Sequence, residues 1–155
     1  MRRLSLVVRP LHRHPLGGRH FENFSEDPFL TAEIAVAYVK GVQSKRVSAC
    51  LKHFVANDTE FERHTVSSNL DERTLREVYL LPFEMGIKKA KAKSVMSAYN
   101  KLNNIYCSSN EDLLVKVLKK EWGFDGYVVS DWGAALVSIE NAKGGLDMEM
   151  PGPGH

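Results

Sequence analysis

The sequence predicts an α/β fold, an incomplete (β/α)8 barrel of the TIM type with about five strands present. Three observations carry this. Short β-branched runs alternate with longer segments of helical periodicity, as parallel β/α units require. Polar side chains collect where each apolar strand ends. The 155 residues fall short of the roughly 250 that close an eight-stranded barrel, so these strands form part of one.

The elements follow in order. Leu4–Val8 reads as the first strand. Residues 31–45 read as a helix, with Ile34, Ala35, Tyr38 and Val42 on its apolar face. Val47–Phe54 is the second strand. Residues 71–91 open with an acidic turn and close in lysines, which suits a helix at both ends of its dipole. Pro82 is expected to break or kink that helix near its middle. Ser94–Tyr99 is a strand. Asn110–Trp122 is a helix capped by Asn110, with Leu113, Leu114, Val117 and Leu118 inward. Gly126–Asp131 is a strand, 135–143 a short helix and Gly145–Met150 a last strand.

Composition removes several classes. The chain is 43% apolar with charges of both signs, so it has a core to bury and is not disordered. Its 21 basic and 19 acidic residues give a net charge of +2, which argues against a dedicated nucleic-acid binder. The basic excess sits in the first twenty residues, at Arg2, Arg3, Arg9, Arg13 and Arg19. No run approaches the ~20 apolar residues of a membrane span, and the apolar stretch after Met1 is too short for a signal peptide. Cys50 and Cys107 lie far apart without a CxxC, so they read as two reduced thiols in or near the core. His12 and His14 form an HxH with no third ligand at a suitable spacing, so no metal is expected.

The chemistry-bearing residues stand at the ends of the strands. Lys52 and His53 close one, Tyr99 and Asn100 the next, Asp131 and Trp132 the next, and Asp147 to Glu149 the last. The first strand is followed by an arginine-rich loop ending in Gly17-Gly18-Arg19-His20-Phe21-Glu22. The carboxyl ends of successive barrel strands converge on one pocket, whereas a doubly wound sheet binds only near its switch point.

These same stretches resemble glycoside hydrolase family 3, in its β-glucosidase and β-xylosidase branch. They are RHPLGGRHFENFSEDPFL (13–30), KHFVANDTEFER (52–63), SSNLDERTLREVYLLPFE (67–84), MSAYNKLNN (96–104), WGFDGYVVSDWGA (122–134) and GLDMEMPGPG (145–154), in the family's order. The resemblance implies that residues 1–155 are a partial N-terminal barrel domain of a retaining exo-glycosidase acting on a small saccharide or glycoside. It implies Asp131 of SDW as the nucleophile. Carried over to the sugar site are Arg19 of GGR, Lys52 and His53 of KHF, Arg63 and Tyr99. Trp132 offers a flat apolar face to a sugar ring. The acid/base glutamate comes in the family from a later domain, so Glu149 reads as a structural or subsite residue. The missing strands and that second domain are expected elsewhere in a parent chain.

Two departures bear on this. The loop after KHF lacks the glycine pattern of the N-acetylglucosaminidase branch, which disfavours that activity. Asn104 stands where the family often has Gly, and Asn tolerates a left-handed turn. Glu22 and Asp27 read as loop-bracing carboxylates. No cofactor is implied, because two carboxyl groups perform a retaining glycoside hydrolysis. The rival reading is an inactive truncated barrel or carbohydrate-binding remnant.

Overall fold

The computed structural model describes residues 2–5 and 9–152. Four strands form one parallel sheet in the order β1 (Arg2–Ser5), β4 (Val47–Phe54), β6 (Ser94–Ser97) and β9 (Tyr127–Ser130). Two small sheets flank it. The strands β2 (Arg9–Leu11) and β3 (Asn23–Ser25) pair in parallel, and β5 (Ser67–Ser68) pairs with the hairpin of β7 (Lys101–Leu102) and β8 (Ile105–Tyr106). The hairpin turns through Asn103 and Asn104, both at positive φ (49° and 71°), so Asn104 does adopt the left-handed conformation. Residues 6–8 of the strand expected at Leu4–Val8 lie outside the described residues.

Helix α1 runs Pro28–Gln43, three residues earlier than expected, because Asp27 accepts a hydrogen bond from Leu30 N–H (2.9 Å) and Pro28 takes the first turn. Its buried face is Thr31, Ala32, Ala35, Val36 and Val39; of the expected stripe Ala35 is buried, Ile34 and Val42 are half-buried and Tyr38 is exposed. Alanines bring the helix close to its neighbours, while Tyr38 turns outward and meets Phe24 at 6.3 Å between ring centroids.

The helical run of residues 72–88 is continuous. A short α2 (Glu72–Thr74), capped by Asp71, passes into wider π turns over Leu75–Leu80 and then α3 (Leu81–Lys88). Pro82 sits in the first turn of α3 and does not interrupt the run. The π turns just before it take up the hydrogen bond that Pro82 has no N–H to make. The later helix is also π-wound, over Asp112–Glu121, and Asn110 Oδ1 caps it by accepting from Leu113 N–H (3.1 Å). Leu113, Leu114 and Leu118 are buried there, with Val117 partly so.

Helix α4 (Ser138–Gly144) begins later than expected, and the last expected strand shrinks to one parallel bridge between Val129 and Met148. The cause is local. Gly145 takes φ 96°, and Asp147 Oδ2 accepts the Val128 N–H (2.7 Å) that a strand carbonyl would otherwise receive.

Alternate residues of the sheet face opposite ways. Leu51, Val95 and Val128 join the main core with residues of α1, α3 and the helix at Asp112–Glu121. Their neighbours Cys50, Met96 and Val129 form a smaller cluster on the other face, packed by Tyr127, Met148 and Met150. No helical residue belongs to that second cluster among the described residues. Both cysteines are free and buried, and burial pushes the Cys107 thiol up to about 12.

Candidate active site

Register brings the strand ends together. Ser97 lies opposite Phe54 on one side and Ser130 on the other. Just beyond, Ala98 N–H donates to the Phe54 carbonyl (2.8 Å) and Asp131 N–H to the Ser97 carbonyl (3.2 Å). Lys52, His53, Tyr99 and Asp131 therefore share one end of the sheet. The peptide bond between Lys52 and His53 is cis.

Asp131 is 8% exposed and His53 2%. Asp131 Oδ1 accepts from Trp132 N–H (2.8 Å). Oδ2 lies 3.2 Å from His53 Nε2, at ion-pair distance. Burial pushes the Asp131 carboxyl up. The neighbouring His53, the Trp132 N–H and the Lys52 charge outweigh it, and the carboxyl titrates below its ordinary value. A buried carboxylate is thus kept ionised, with one oxygen anchored on the Trp132 N–H and the other beside His53.

Tyr99 donates its hydroxyl to the Trp132 carbonyl (2.7 Å), which fixes the backbone on the far side of Asp131. Burial first, and the Asp131 charge second, raise the Tyr99 phenol, so it stays a neutral donor. Arg63 stacks over the Tyr99 ring at 4.3 Å and His64 meets the same ring edge-on at 4.5 Å. Arg19 stands at positive φ (59°), with Nε and Nη2 both on Glu22 Oε1 (3.1 and 2.8 Å). Its charge reaches Tyr99.

Lys52, His53, Arg63, Tyr99 and Trp132 therefore gather around Asp131 by contact or by charge, and Arg19 reaches Tyr99. Trp132 joins them through its backbone, and its indole stands 62% exposed, available to a ring from outside. Glu22 and Asp27 are loop-bracing, one on Arg19 and the other on α1. Among the described residues no cluster of three or more His, Cys, Asp or Glu could hold a metal. Instead, His12 stacks on His20 at 5.0 Å and His14 Nδ1 accepts from Leu16 N–H.

Sequence reasoning misses Glu60 and the knot of Arg13, Asp58 and Tyr79. Glu60 pairs with Arg63 at 2.6 Å, an i,i+3 spacing that is legible in TEFER. Tyr79 donates to Asp58 (2.7 Å) and receives from Arg13, tying the arginine-rich loop to the loop after β4. No local pattern shows that knot, which joins residues 21 and 66 positions apart. An open cleft of about 510 Å³ lies between these two loops, lined by Arg13, His53, Asn57, Asp58 and Ser68 among others.

An arrangement of this kind can hold a polyhydroxylated ring with arginine and lysine donors beside an ionised carboxylate. The sequence matches the family described as glycosyl hydrolase family 3 N terminal domain over residues 8–149. It is 61% identical over 152 residues to a beta-glucosidase of Rhizobium radiobacter and 57% identical over 151 residues to thermostable beta-glucosidase B of Acetivibrio thermocellus. Each alignment takes in 96% of this chain, but only 19% and 20% of those proteins. Beta-glucosidase 3B from Thermotoga neapolitana in complex with glucose has the same fold with a TM-score of 0.94 at 54% identity, covering 97% of this chain and 21% of that one. The GH3 beta-glucosidase of Bifidobacterium adolescentis follows with a TM-score of 0.95 at 44% identity, covering 98% and 22%. The chain spans about a fifth of the length of these relatives. With its sequence matched almost end to end and its strands and helices in the same places, the chain belongs to glycosyl hydrolase family 3, in the N-terminal domain of that family.

Proposed function

We propose that this chain is the nucleophile-bearing part of a retaining exo-glycosidase of β-glucosidase type, acting on terminal β-linked glucose or a related sugar. The observation that carries the reading is Asp131, a buried carboxylate held ionised at a strand end, with His53, Tyr99 and Arg63 around it. Oδ2 attacks the anomeric carbon as the glycosidic bond breaks, and a second carboxyl group protonates the departing oxygen. Water then attacks the glycosyl ester, the second group takes the water's proton, and Asp131 is released. Arg19, Lys52, His53 and Arg63 hold the sugar hydroxyls, and Trp132 packs on a ring.

The second carboxyl belongs to a later domain of a longer protein. The remaining strands of a (β/α)8 barrel come from that protein as well. The helix-free face of the sheet, with Cys50, Met96 and Val129, supports this reading, since it suits a barrel interior. Saccharides are the proposed partners, and the glucose complex of the Thermotoga neapolitana protein is consistent with that.

The test uses the complete protein and a 2-fluoro-glycoside that traps the glycosyl-enzyme. Mass spectrometry of its peptides is expected to find the sugar on Asp131. Label on another carboxylate removes Asp131 from the role. An active-site-intact protein that takes no label at all favours the non-catalytic remnant.

A further inference from the structure

The two site arginines come from different loops, and one carboxylate stands between them. Glu60 Oε2 pairs with Arg63 Nη1 at 2.6 Å, and Glu60 Oε1 lies 4.0 Å from Arg19 Nη1. Arg19 has already committed Nε and Nη2 to Glu22, so the nitrogen facing Glu60 is its remaining one. Without a negative charge between them, two guanidinium groups this near would repel. Arg63 then passes the constraint on. It lies over the Tyr99 ring, and Tyr99 holds the carbonyl of Trp132, next to Asp131.

A second, independent observation concerns Gly18. A Cβ at that position would fall 2.2 Å from Glu60 Cγ and 3.0 Å from Glu60 Cβ. Both atoms belong to the stem of the side chain rather than its mobile end, so any larger residue displaces Glu60. Gly18 N–H also donates to the Asp58 carbonyl (3.3 Å), which clips the two loops at this point. The loop before Arg19 is therefore shaped around Glu60.

We propose that Glu60 is a positioning residue, which acts through Arg19 and Arg63 to set the spacing of the two guanidinium groups that hold the sugar opposite Asp131. The proposal rests on the hydrolase reading above. Gly18 is the space that Glu60 occupies.

The experiment takes the complete protein and the variants Glu60→Gln, Glu60→Asp, Gly18→Ala, Arg63→Ala and Glu60→Gln with Arg63→Ala. In Glu60→Gln, kcat/KM is expected to fall roughly 10- to 100-fold, chiefly through KM, because the arginines bind the sugar before and during reaction. Glu60→Asp should recover part of the loss. Gly18→Ala keeps the Glu60 charge and should reproduce the loss, which covers the case in which Glu60→Gln fails to fold. The double variant should lose less than the product of the two single losses, because the part of Glu60's effect that runs through Arg63 is already gone. A change in Glu60→Gln below about twofold, or a loss that adds in full to that of Arg63→Ala, overturns the proposal. A crystal structure of Glu60→Gln separates this from the hydrolase reading. Arg63 displaced from the Tyr99 ring in a protein that cleaves no glycoside sinks the hydrolase reading and spares the positioning one. Arg63 unmoved in an active protein sinks the positioning role alone.

Discussion

Among single residues the decisive balance is at Asp131. Burial disfavours its charge, and the neighbouring His53, Trp132 N–H and Lys52 restore it. In the proposed nucleophile role Asp131 must be ionised, so kcat/KM should be lost as pH falls through its folded pKa, which lies below the ordinary carboxylate value. The same depression means that Asp131 adds stability above its unfolded pKa, and that this is lost as pH falls through the folded value. Replacing His53 by Gln removes the leading group that lowers this pKa. The acid limb of the kcat/KM profile should therefore move to higher pH, and an unmoved limb would assign it to another group. Asp131→Asn, which keeps shape but cannot form the ester, should cut kcat by roughly 10⁴-fold or more, read by steady-state rates on an aryl glycoside. The motifs make Asp131, Arg19, Lys52, His53, Arg63, Tyr99 and Trp132 legible, because each sits in a short string with a fixed place after a strand. Glu60 escapes such a reading, although its spacing to Arg63 is visible. Its significance depends on Arg19, in a separate loop far back along the chain, and only folding brings that residue near.

Among the elements, space around the backbone decides which glycines can change. Gly41 in α1 has nothing within 4 Å of the point where a Cβ would stand, whereas at Gly126 such a carbon would fall 2.3 Å from the Lys93 carbonyl oxygen. Gly41→Ala should stabilise by about 0.5–1 kcal/mol through helix propensity. Gly126→Ala should cost about 1–3 kcal/mol, because the carbonyl it strikes belongs to the backbone leading into β6. Urea denaturation of the complete protein and the two variants checks both signs. Removing the α1 cap by Asp27→Ala should cost about 1 kcal/mol by the same measurement. Element existence is readable from periodicity, and Val47–Phe54 and the Asn110 cap stand where the sequence places them. Helix faces are less readable. The stripe of α1 keeps Ala35 but turns toward Ala32, Val36 and Val39, because the partners it packs against are set by the tertiary fold and not by the helix's own sequence.

For the whole molecule, the described residues carry several large apolar side chains out in solvent. Leu16 is 89% exposed, Phe21 87%, Phe61 78% and Ile139 67%. The first three lie in the loops around the site, where the proposed longer protein would cover them. The 155-residue polypeptide by itself is expected to self-associate through these groups and its unclosed sheet. Light scattering on a sizing column, followed by calorimetry, would show it. A monodisperse monomer with one cooperative melt would count against the open-barrel reading.

The alternation of strands and helices, the polar residues at each strand end, and the family that those strings resemble are all written into the sequence. All three are local: a strand, a cap or an SDW string is complete within a short stretch of chain. What depends on distance across the chain emerges only on folding. To this belong the 3.2 Å approach of His53 to Asp131, the charge balance that keeps that carboxylate ionised, the bridge of Glu60 between two arginines, and the reduction of the last strand to a single bridge. The physical reason is that a pKa, an ion pair and a packed face are properties of neighbours in space, and parallel strands make neighbours of residues that lie far apart in the chain.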